Sequence, residues 1–295
     1  WSAGKDSSTV LALTLEVALE VKAQGIEPRI VVTTSDTGVE SPEIAAHVRQ
    51  EGRKLMRYAK AKGLNLSFHI TKPSLMATWQ IKVLTGRGLP DYAGQKADCS
   101  VDWKIKPMQK LRNQLFASFR KKGLPEPVTL VGTRFSESDK RALAMKGRGD
   151  NALEPVRNKD GEWTLTPICR WETDDVWSYI GEIASGERTS YTDFAETLRI
   201  YADAGGTSCA IVSDAILEGL NKSSKAGKCG SRTGCWCCLQ AHDKSLRTMV
   251  ENEPRYHYAR GLVRFNDYLR AIRWDWSRRQ YVGRTVSVRA RAQRR

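Results

Sequence analysis

The sequence opens with WSAGKDSS, residues 1–8, and this stretch leads directly into a dense apolar run. The run, Ser7 to Ala23, has valine, leucine and alanine at helical spacing before Gly25, so we predict a largely buried helix. A loop that enters a helix N-terminus directs backbone N–H groups and the positive helix end at an anion. The residues expected to contact that anion are Ser2, Gly4, Lys5, Ser7 and Ser8, and Asp6 belongs to the same nucleotide-binding stretch. The stretch lacks the spacing of a Walker loop but still predicts a phosphate site.

Outward from this loop, short β-branched segments alternate with long amphipathic ones. We predict strands at 29–34, 64–70, 127–131 and 163–166, and helices at 42–62 and 106–121. This alternation is typical of an α/β fold in which helices cover both faces of a parallel sheet. Ligands of such sheets bind at the carboxyl ends of the strands, where the loops Ser35–Gly38 and Gly132–Arg141 lie.

The alternation stops after residue 166. Helices are predicted at 173–184 and 188–204, followed by a loop-rich segment at 208–238 and an arginine-rich helical end. The expected organisation is therefore a nucleotide domain at 1–170, a helical extension with a cysteine cluster at 171–245, and an arginine-rich helical region at 246–295.

Composition and charge narrow the classes of function. With 40% hydrophobic and 27% charged residues, the chain has the composition of a globular protein, and no apolar run is long enough for a bilayer. The net charge is +15, and residues 246–295 contain thirteen arginines, no lysine and four acidic residues. Such a segment is typical of proteins that bind a polyanion such as nucleic acid, although the final residues fit a solvated basic tail equally well.

Five of the seven cysteines lie within thirty residues: Cys209, Cys229, Cys235, Cys237 and Cys238. We expect a protein without a signal peptide, and for such a protein this crowding favours metal binding over disulfides. Four thiolates suit either tetrahedral Zn²⁺ or a [4Fe–4S] cluster, and spacing alone does not decide between them.

The opening stretch resembles the SGGxDS loop of PP-loop ATP pyrophosphatases. Further strings resemble the branch of that superfamily related to phosphoadenylyl-sulfate reductases. They are Asp36-Thr37-Gly38 with Glu40 and Pro42, Cys99-Ser-Val-Asp-Trp-Lys104-Ile-Lys-Pro107, Gly132-Thr-Arg134-Phe-Ser-Glu137-Ser138 with Arg141, and Pro167-Ile168 with Trp171, Asp175, Val176 and Trp177. Ala3 departs from the family, which usually has glycine there, and alanine fits without strain only if its φ is negative.

The resemblance implies an adenine nucleotide alpha hydrolase-like fold and cleavage of ATP between its α and β phosphates. It implies that Lys5, Lys104 and Arg134 neutralise phosphate charge, that Asp6 holds Mg²⁺ indirectly, and that Asp36, Thr37, Gly38 and Gly132 contact the nucleotide. From the residues alone, Asp6 is as well explained as a helix cap, and Glu137 with Arg141 as a structural ion pair.

The run from Cys229 to Cys238, followed by Asp243-Lys244-Ser245, is similar to the DndC sulfurtransferases of DNA phosphorothioation and their SspD relatives. The resemblance implies an iron–sulfur cluster on Cys209, Cys229, Cys235 and Cys238, with Cys237 not a ligand. It also implies DNA as substrate, a cysteine desulfurase as sulfur donor and other phosphorothioation proteins as partners. Cys99 lies near Lys104 in sequence, so we expect it either to accept persulfide sulfur or to be a small buried residue.

We therefore expect a cytoplasmic enzyme that transfers sulfur to DNA, and a chain that lacks the strand which normally precedes the loop. Three alternatives remain open: a reductase of adenylyl sulfate or phosphoadenylyl sulfate, an iron–sulfur tRNA thiolase, and a zinc-bearing DNA-binding module. The E-C-G-x-H string of the reductases is absent from the sequence.

Overall fold

The computed structural model describes residues 1–89, 98–205, 234–239 and 245–278. Its first half contains α1 (Lys5–Ala23), β1 (Arg29–Ser35), α2 (Pro42–Ala61), β2 (Asn65–Thr71), α3 (Trp79–Leu84), α4 (Asp98–Ser100) and α5 (Lys106–Lys121). The remainder contains β3 (Val128–Leu130), α6 (Asp139–Arg148), β4 (Val156–Arg157), β5 (Trp163–Leu165), α7 (Thr173–Ala184), α8 (Ala195–Gly205), α9 (Ser245–Asn252) and α10 (Arg260–Ile272). A π-helical turn, Val101–Ile105, joins α4 to α5. Within the described ranges, no helix is long and apolar enough to cross a bilayer.

The strands form an α/β fold, as predicted. β1 and β2 pair in parallel from Arg29 opposite Asn65 to Ser35 opposite Thr71. β3 and β5 also pair in parallel, and the short β4 adds an antiparallel edge to β5. The carboxyl ends of β1 and β3 lead into the two loops that the sequence marked as ligand-binding.

The main hydrophobic core joins α1 to α7 and to β1. Leu15 and Val10 of α1 are buried beside Ile180 and Trp177 of α7, and Val32 of β1 completes the cluster. Trp1 packs against the same core, and its backbone nitrogen donates to the carbonyl oxygen of Thr33 in β1, 2.8 Å away. The core therefore fixes the loop before α1 directly against the first strand.

A second cluster lies beyond the carboxyl end of β1. Its fully or largely buried members are Val39, Trp79, Trp103, Cys237, Leu239 and Leu269. These residues come from the loop after β1, from α3, from the π-helical turn, from the cysteine segment and from α10. The second cluster therefore packs the cysteine segment, residues 234–239, against the first half of the chain, which contains the predicted nucleotide-binding loops. The expected domain boundaries at 170 and 245 stay predictions.

One predicted helix begins later than expected. The apolar pattern favoured a helix over 188–204, but α8 begins at Ala195. Phe194 takes a positive φ of 57°, and the Asp193 carboxylate accepts a hydrogen bond from the backbone N–H of Ala195, 3.2 Å away. A positive φ is incompatible with continuing a right-handed helix, so residues before it are not helical.

Candidate active site

The loop before α1 is closed by its own hydroxyl groups. The Ser7 hydroxyl accepts from the backbone N–H of Ser2 at 3.1 Å and lies 2.9 Å from the Ser2 hydroxyl. The N–H of Ser8 donates to the Gly4 carbonyl at 3.0 Å, which is the first hydrogen bond of the helix. The resulting turn holds Ser2, Gly4 and Ser7 at the helix N-terminus, where the backbone favours an anion.

Ala3 lies in the left-handed region, with φ of 56°, so the condition for an unstrained alanine is not met. An L-residue in this conformation is strained by about 1–2 kcal/mol, which glycine avoids. The Ala3 carbonyl oxygen lies 3.3 Å from His47 Nε2, and that nitrogen lies 3.3 Å from the Thr197 hydroxyl. Burial is the main cause that lowers the pKa of His47, so its neutral form supports the loop at neutral pH.

Asp6 connects two of the predicted phosphate ligands. Its carboxylate contacts Lys5 Nζ at 2.6 Å and Arg134 Nε at 2.7 Å. Asp6 lies in the first turn of α1, where a negative charge is favourable, and its carboxylate is the point at which both cations meet.

Arg134 is almost completely enclosed, with 3% of its side chain exposed. Its Nη1 donates to the hydroxyls of Ser136 at 2.9 Å and Thr173 at 3.3 Å. A planar guanidinium held from both sides is fixed in orientation, which a lysine ammonium is not. The structure thus assigns Arg134 a positioning role on Asp6. Its predicted contact with phosphate is untested and stays a prediction.

Gly132 packs against the first turn of α1. A Cβ atom placed on Gly132 would lie 2.9 Å from the carbonyl oxygen of Asp6 and 3.2 Å from the Cα atom of Ser7. Only glycine allows so close an approach of two backbones. The loop after β3 and the loop before α1 are therefore in contact. Beyond this loop, Arg141 of α6 and Glu137 form the ion pair that their spacing predicted.

The loop after β1 is folded by its own carboxylates. The N–H of Gly38 donates to the Asp36 carboxylate at 3.0 Å, and the N–H of Thr37 donates to the Glu40 carboxylate at 3.1 Å. Gly38 has a φ of 74°, which favours glycine. Asp36 also lies 3.5 Å from Lys72 Nζ. Asp36, Thr37 and Gly38 thus form a rigid loop at the end of β1.

The cysteine segment pairs with this loop. The N–H of Trp236 donates to the Val39 carbonyl at 3.0 Å, and Cys235 forms a β-bridge with Glu40. The N–H of Cys238 donates to the Cys235 carbonyl at 2.9 Å, which closes a tight turn. We call residues 235–238 the cysteine turn.

The side chains of the cysteine turn have different environments. Cys235 and Cys238 line a cavity of about 260 Å³ together with Val263 and Arg270 of α10. Cys237 is completely buried in the second cluster. Burial raises the pKa of Cys235 to about 12, partly offset by the positive charge of Lys104. Without a bound cation, the Cys235 thiol is therefore protonated at neutral pH.

A side chain of helix α10 donates hydrogen bonds to backbone carbonyls of the cysteine turn. Asn266 Nδ2 donates to the carbonyl oxygens of Trp236 at 2.7 Å and Cys238 at 2.9 Å. Arg270 Nε in turn donates to the Asn266 side-chain oxygen at 2.8 Å. The sequence analysis did not identify Asn266 as a site residue, because it belongs to no motif. The amphipathic pattern around it is the same as in any surface helix.

The predicted catalytic residues Cys99 and Lys104 lie near the cysteine turn. Cys99 is half-buried against the second cluster, and Lys104 is exposed on the π-helical turn. Both act electrostatically on Cys235, as does Glu40. Cys209 and Cys229 lie outside the described residues. Among those described, no group of three or more His, Cys, Asp or Glu side chains is arranged to hold a metal ion.

Comparison with known protein families adds one match. The description of that family is the phosphoadenosine phosphosulfate reductase domain, and its model covers residues 1–184. That range contains the loop before α1, both strand-end loops, Cys99 and Lys104, and it ends at the last residue of α7. No curated protein matches the chain.

Proposed function

The chain belongs to the phosphoadenosine phosphosulfate reductase domain family, and on that premise we propose that it is an ATP-dependent sulfurtransferase that modifies the DNA backbone. In the proposed reaction, a phosphate oxygen of DNA attacks the α-phosphorus of ATP and pyrophosphate leaves. A cysteine desulfurase supplies the sulfur as a persulfide, whose outer sulfur then attacks the activated DNA phosphorus, and AMP leaves with the original oxygen. A second thiol attacks the inner sulfur of the resulting P–S–S linkage, which releases the phosphorothioate and leaves the two thiol sulfurs joined as a disulfide. The product is a phosphorothioate linkage.

One observation carries the proposal: the cysteine turn packs directly on the loop that follows β1. The hydrogen bond from Trp236 to Val39 and the bridge between Cys235 and Glu40 join thiol chemistry to the nucleotide half of the chain. An enzyme that only hydrolysed ATP would need no cysteines at this loop.

The nucleotide half supplies binding and charge. The N-terminus of α1 and the hydroxyls of Ser2 and Ser7 would bind phosphates of ATP. Lys5 would neutralise charge on the departing pyrophosphate, while Arg134 holds Asp6 in place. Asp6 would hold Mg²⁺ through water, since its carboxylate is partly exposed beside the two cations. Lys104, exposed on the π-helical turn, would neutralise further phosphate charge.

One feature of the cysteine turn supports the proposal of a metal cluster. Cys235 and Cys238 share a cavity, whereas Cys237 is enclosed among apolar side chains. Cys209 and Cys229 would complete the ligand set. An iron–sulfur cluster at these thiolates would supply electron-transfer chemistry. The chain's own contribution is Asn266, which fixes the backbone of the turn from outside.

The test is mass spectrometry of DNA and tRNA digests from cells that express the chain with a cysteine desulfurase and the other phosphorothioation proteins. We expect phosphorothioate dinucleotides with the wild type and none with Cys235→Ser. Cys237→Ala is the matched control from the same turn, and we expect it to retain the modification. Intact DNA modification by Cys235→Ser, or thiolated tRNA nucleosides in place of modified DNA, would overturn the proposal.

A further inference from the structure

Helix α10 and the turn after it expose four aromatic side chains. The exposed fractions are 38% for Phe265, 47% for Tyr268, 52% for Trp274 and 41% for Trp276. Large aromatic side chains are mostly buried in folded proteins, and clustered exposed ones indicate binding surfaces. We call these four residues the aromatic row.

Two members of the aromatic row, Phe265 and Tyr268, contact each other through their rings. The rings of Phe265 and Tyr268 stack with centroids 6.3 Å apart and an angle of 27° between their planes. Phe265 lies 6.0 Å from the ring of Trp236, which stands between Cys235 and Cys237 in the cysteine turn. Phe265 therefore lies beside the cysteine turn, and Tyr268 lies beside Phe265.

Arginines stack on the same rings. The guanidinium of Arg278 lies 6.0 Å from the centroid of Tyr268, and that of Arg273 lies 4.9 Å from the centroid of Trp274. Residues 260–278 contain five arginines and two aspartates, so this surface remains positive although Asp275 pairs with Arg278. A surface of planar rings and guanidinium groups combines faces for stacking with charge for phosphates.

We propose that the aromatic row binds unpaired nucleotides of DNA, with bases stacked on the exposed rings and phosphates beside the arginines. The inference deepens the proposed function and rests on it. Stacking accepts every base because each has a π-face, and duplex bases are not accessible to it. Aromatic rings and arginines also occur at protein interfaces, so the excess of arginine over aspartate in residues 260–278 is what favours a polyanion as the ligand. The bound DNA strand would then lie next to the cysteine turn.

The test is fluorescence anisotropy of the full chain with a labelled single-stranded oligonucleotide and with its duplex, across a salt series. We expect tighter binding of the single strand, and affinity about 5- to 100-fold weaker in Tyr268→Ala and Trp274→Ala. Tyr268→Trp should restore binding because it restores a stacking face. The matched control is Tyr258→Ala, since Tyr258 is 62% exposed but bonds to Glu43 of α2.

The salt dependence separates stacking from charge. Arg264 is exposed on α10 next to Phe265. Tyr268→Ala should leave the slope of log affinity against log salt unchanged, whereas Arg264→Ala should lower its magnitude by about 0.7 for each phosphate that is no longer neutralised. Equal binding of single strand and duplex, unaffected by Tyr268→Ala and Trp274→Ala, would overturn the inference and leave the proposed function standing. The same conclusion would follow if these variants lost a protein partner but kept oligonucleotide affinity. Absence of any nucleic-acid binding by the wild type would contradict both.

Discussion

Replacing Gly132 by alanine should disrupt the contact between the loop after β3 and the first turn of α1. The added Cβ would lie 2.9 Å from the Asp6 carbonyl oxygen, 3.1 Å from its carbon and 3.2 Å from the Ser7 Cα atom. All three atoms belong to the backbone, so no side-chain rotation relieves the overlap. One of the two loops must move by a few tenths of an ångström, at a cost typical of overpacking, about 1–3 kcal/mol.

The displacement should also reach the nucleotide site. Arg134 follows Gly132 on the same loop and contacts Asp6 at 2.7 Å, so moving the loop disturbs that ion pair as well as the helix N-terminus. We therefore expect Gly132→Ala both to lower the free energy of unfolding and to weaken ATP binding, measured by urea denaturation and isothermal titration calorimetry.

A second glycine provides the control. Gly147 lies inside α6, has no heavy atom within 4 Å of its hypothetical Cβ, and has no positive φ. Gly147→Ala should leave ATP affinity unchanged and stabilise the fold by up to about 1 kcal/mol through helix propensity. If Gly132→Ala has the stability and ATP affinity of the wild type, the close approach of the two loops has no role in building the site.

Three further predictions follow from contacts near the site. Arg134→Lys keeps the charge but loses the bonds to Ser136 and Thr173, so the free energy of unfolding in urea should fall by about 1–3 kcal/mol. Burial lowers the pKa of His47 in the folded chain below its ordinary value of 6.5. As the pH falls through about 6.5, the unfolded chain therefore binds a proton before the folded chain does, and the free energy of unfolding decreases. His47→Gln should remove the part of this decrease that His47 causes. If the urea midpoints at pH 7.5 and 5.5 differ as much in His47→Gln as in the wild type, this role of His47 is contradicted. Anaerobically purified wild type should contain iron and acid-labile sulfide in equal amounts, and Cys235→Ser should lose both; bound zinc with neither would favour the DNA-binding module.

The sequence predicted those elements whose patterns are long and local. Helices 106–121 and 173–184 were predicted with the bounds that the structure has, because several turns of amphipathic spacing define each. The strands β1 and β2 were found within one residue at each end. The two-residue β4 was not predicted, since so short a strand has no period of its own. The helix expected from residue 188 was shortened by the positive φ of Phe194, which apolar spacing does not reveal.

The candidate site was predictable as a set of residues but not as a set of contacts. The motif strings identified Asp6 and Arg134, yet their pairing joins positions 128 residues apart in the chain. Likewise, the cysteine spacing indicated a metal site, but nothing local showed that Trp236 bonds to Val39. The strain at Ala3 could not be predicted from the sequence, because an alanine can adopt a negative φ without strain or a positive φ at a cost in free energy. Only the backbone geometry shows that its φ is positive.

Pyrophosphate release from ATP in the presence of DNA tests the central claim most directly. The assay compares single-stranded DNA, duplex DNA, tRNA and sulfate as acceptors, with phosphoadenylyl sulfate tested separately for release of sulfite. We predict that the wild-type chain releases pyrophosphate when DNA is added, with transient transfer of α-labelled AMP to the DNA. Release that depends on tRNA or sulfate and not on DNA, or sulfite formation from phosphoadenylyl sulfate without ATP cleavage, would contradict the account.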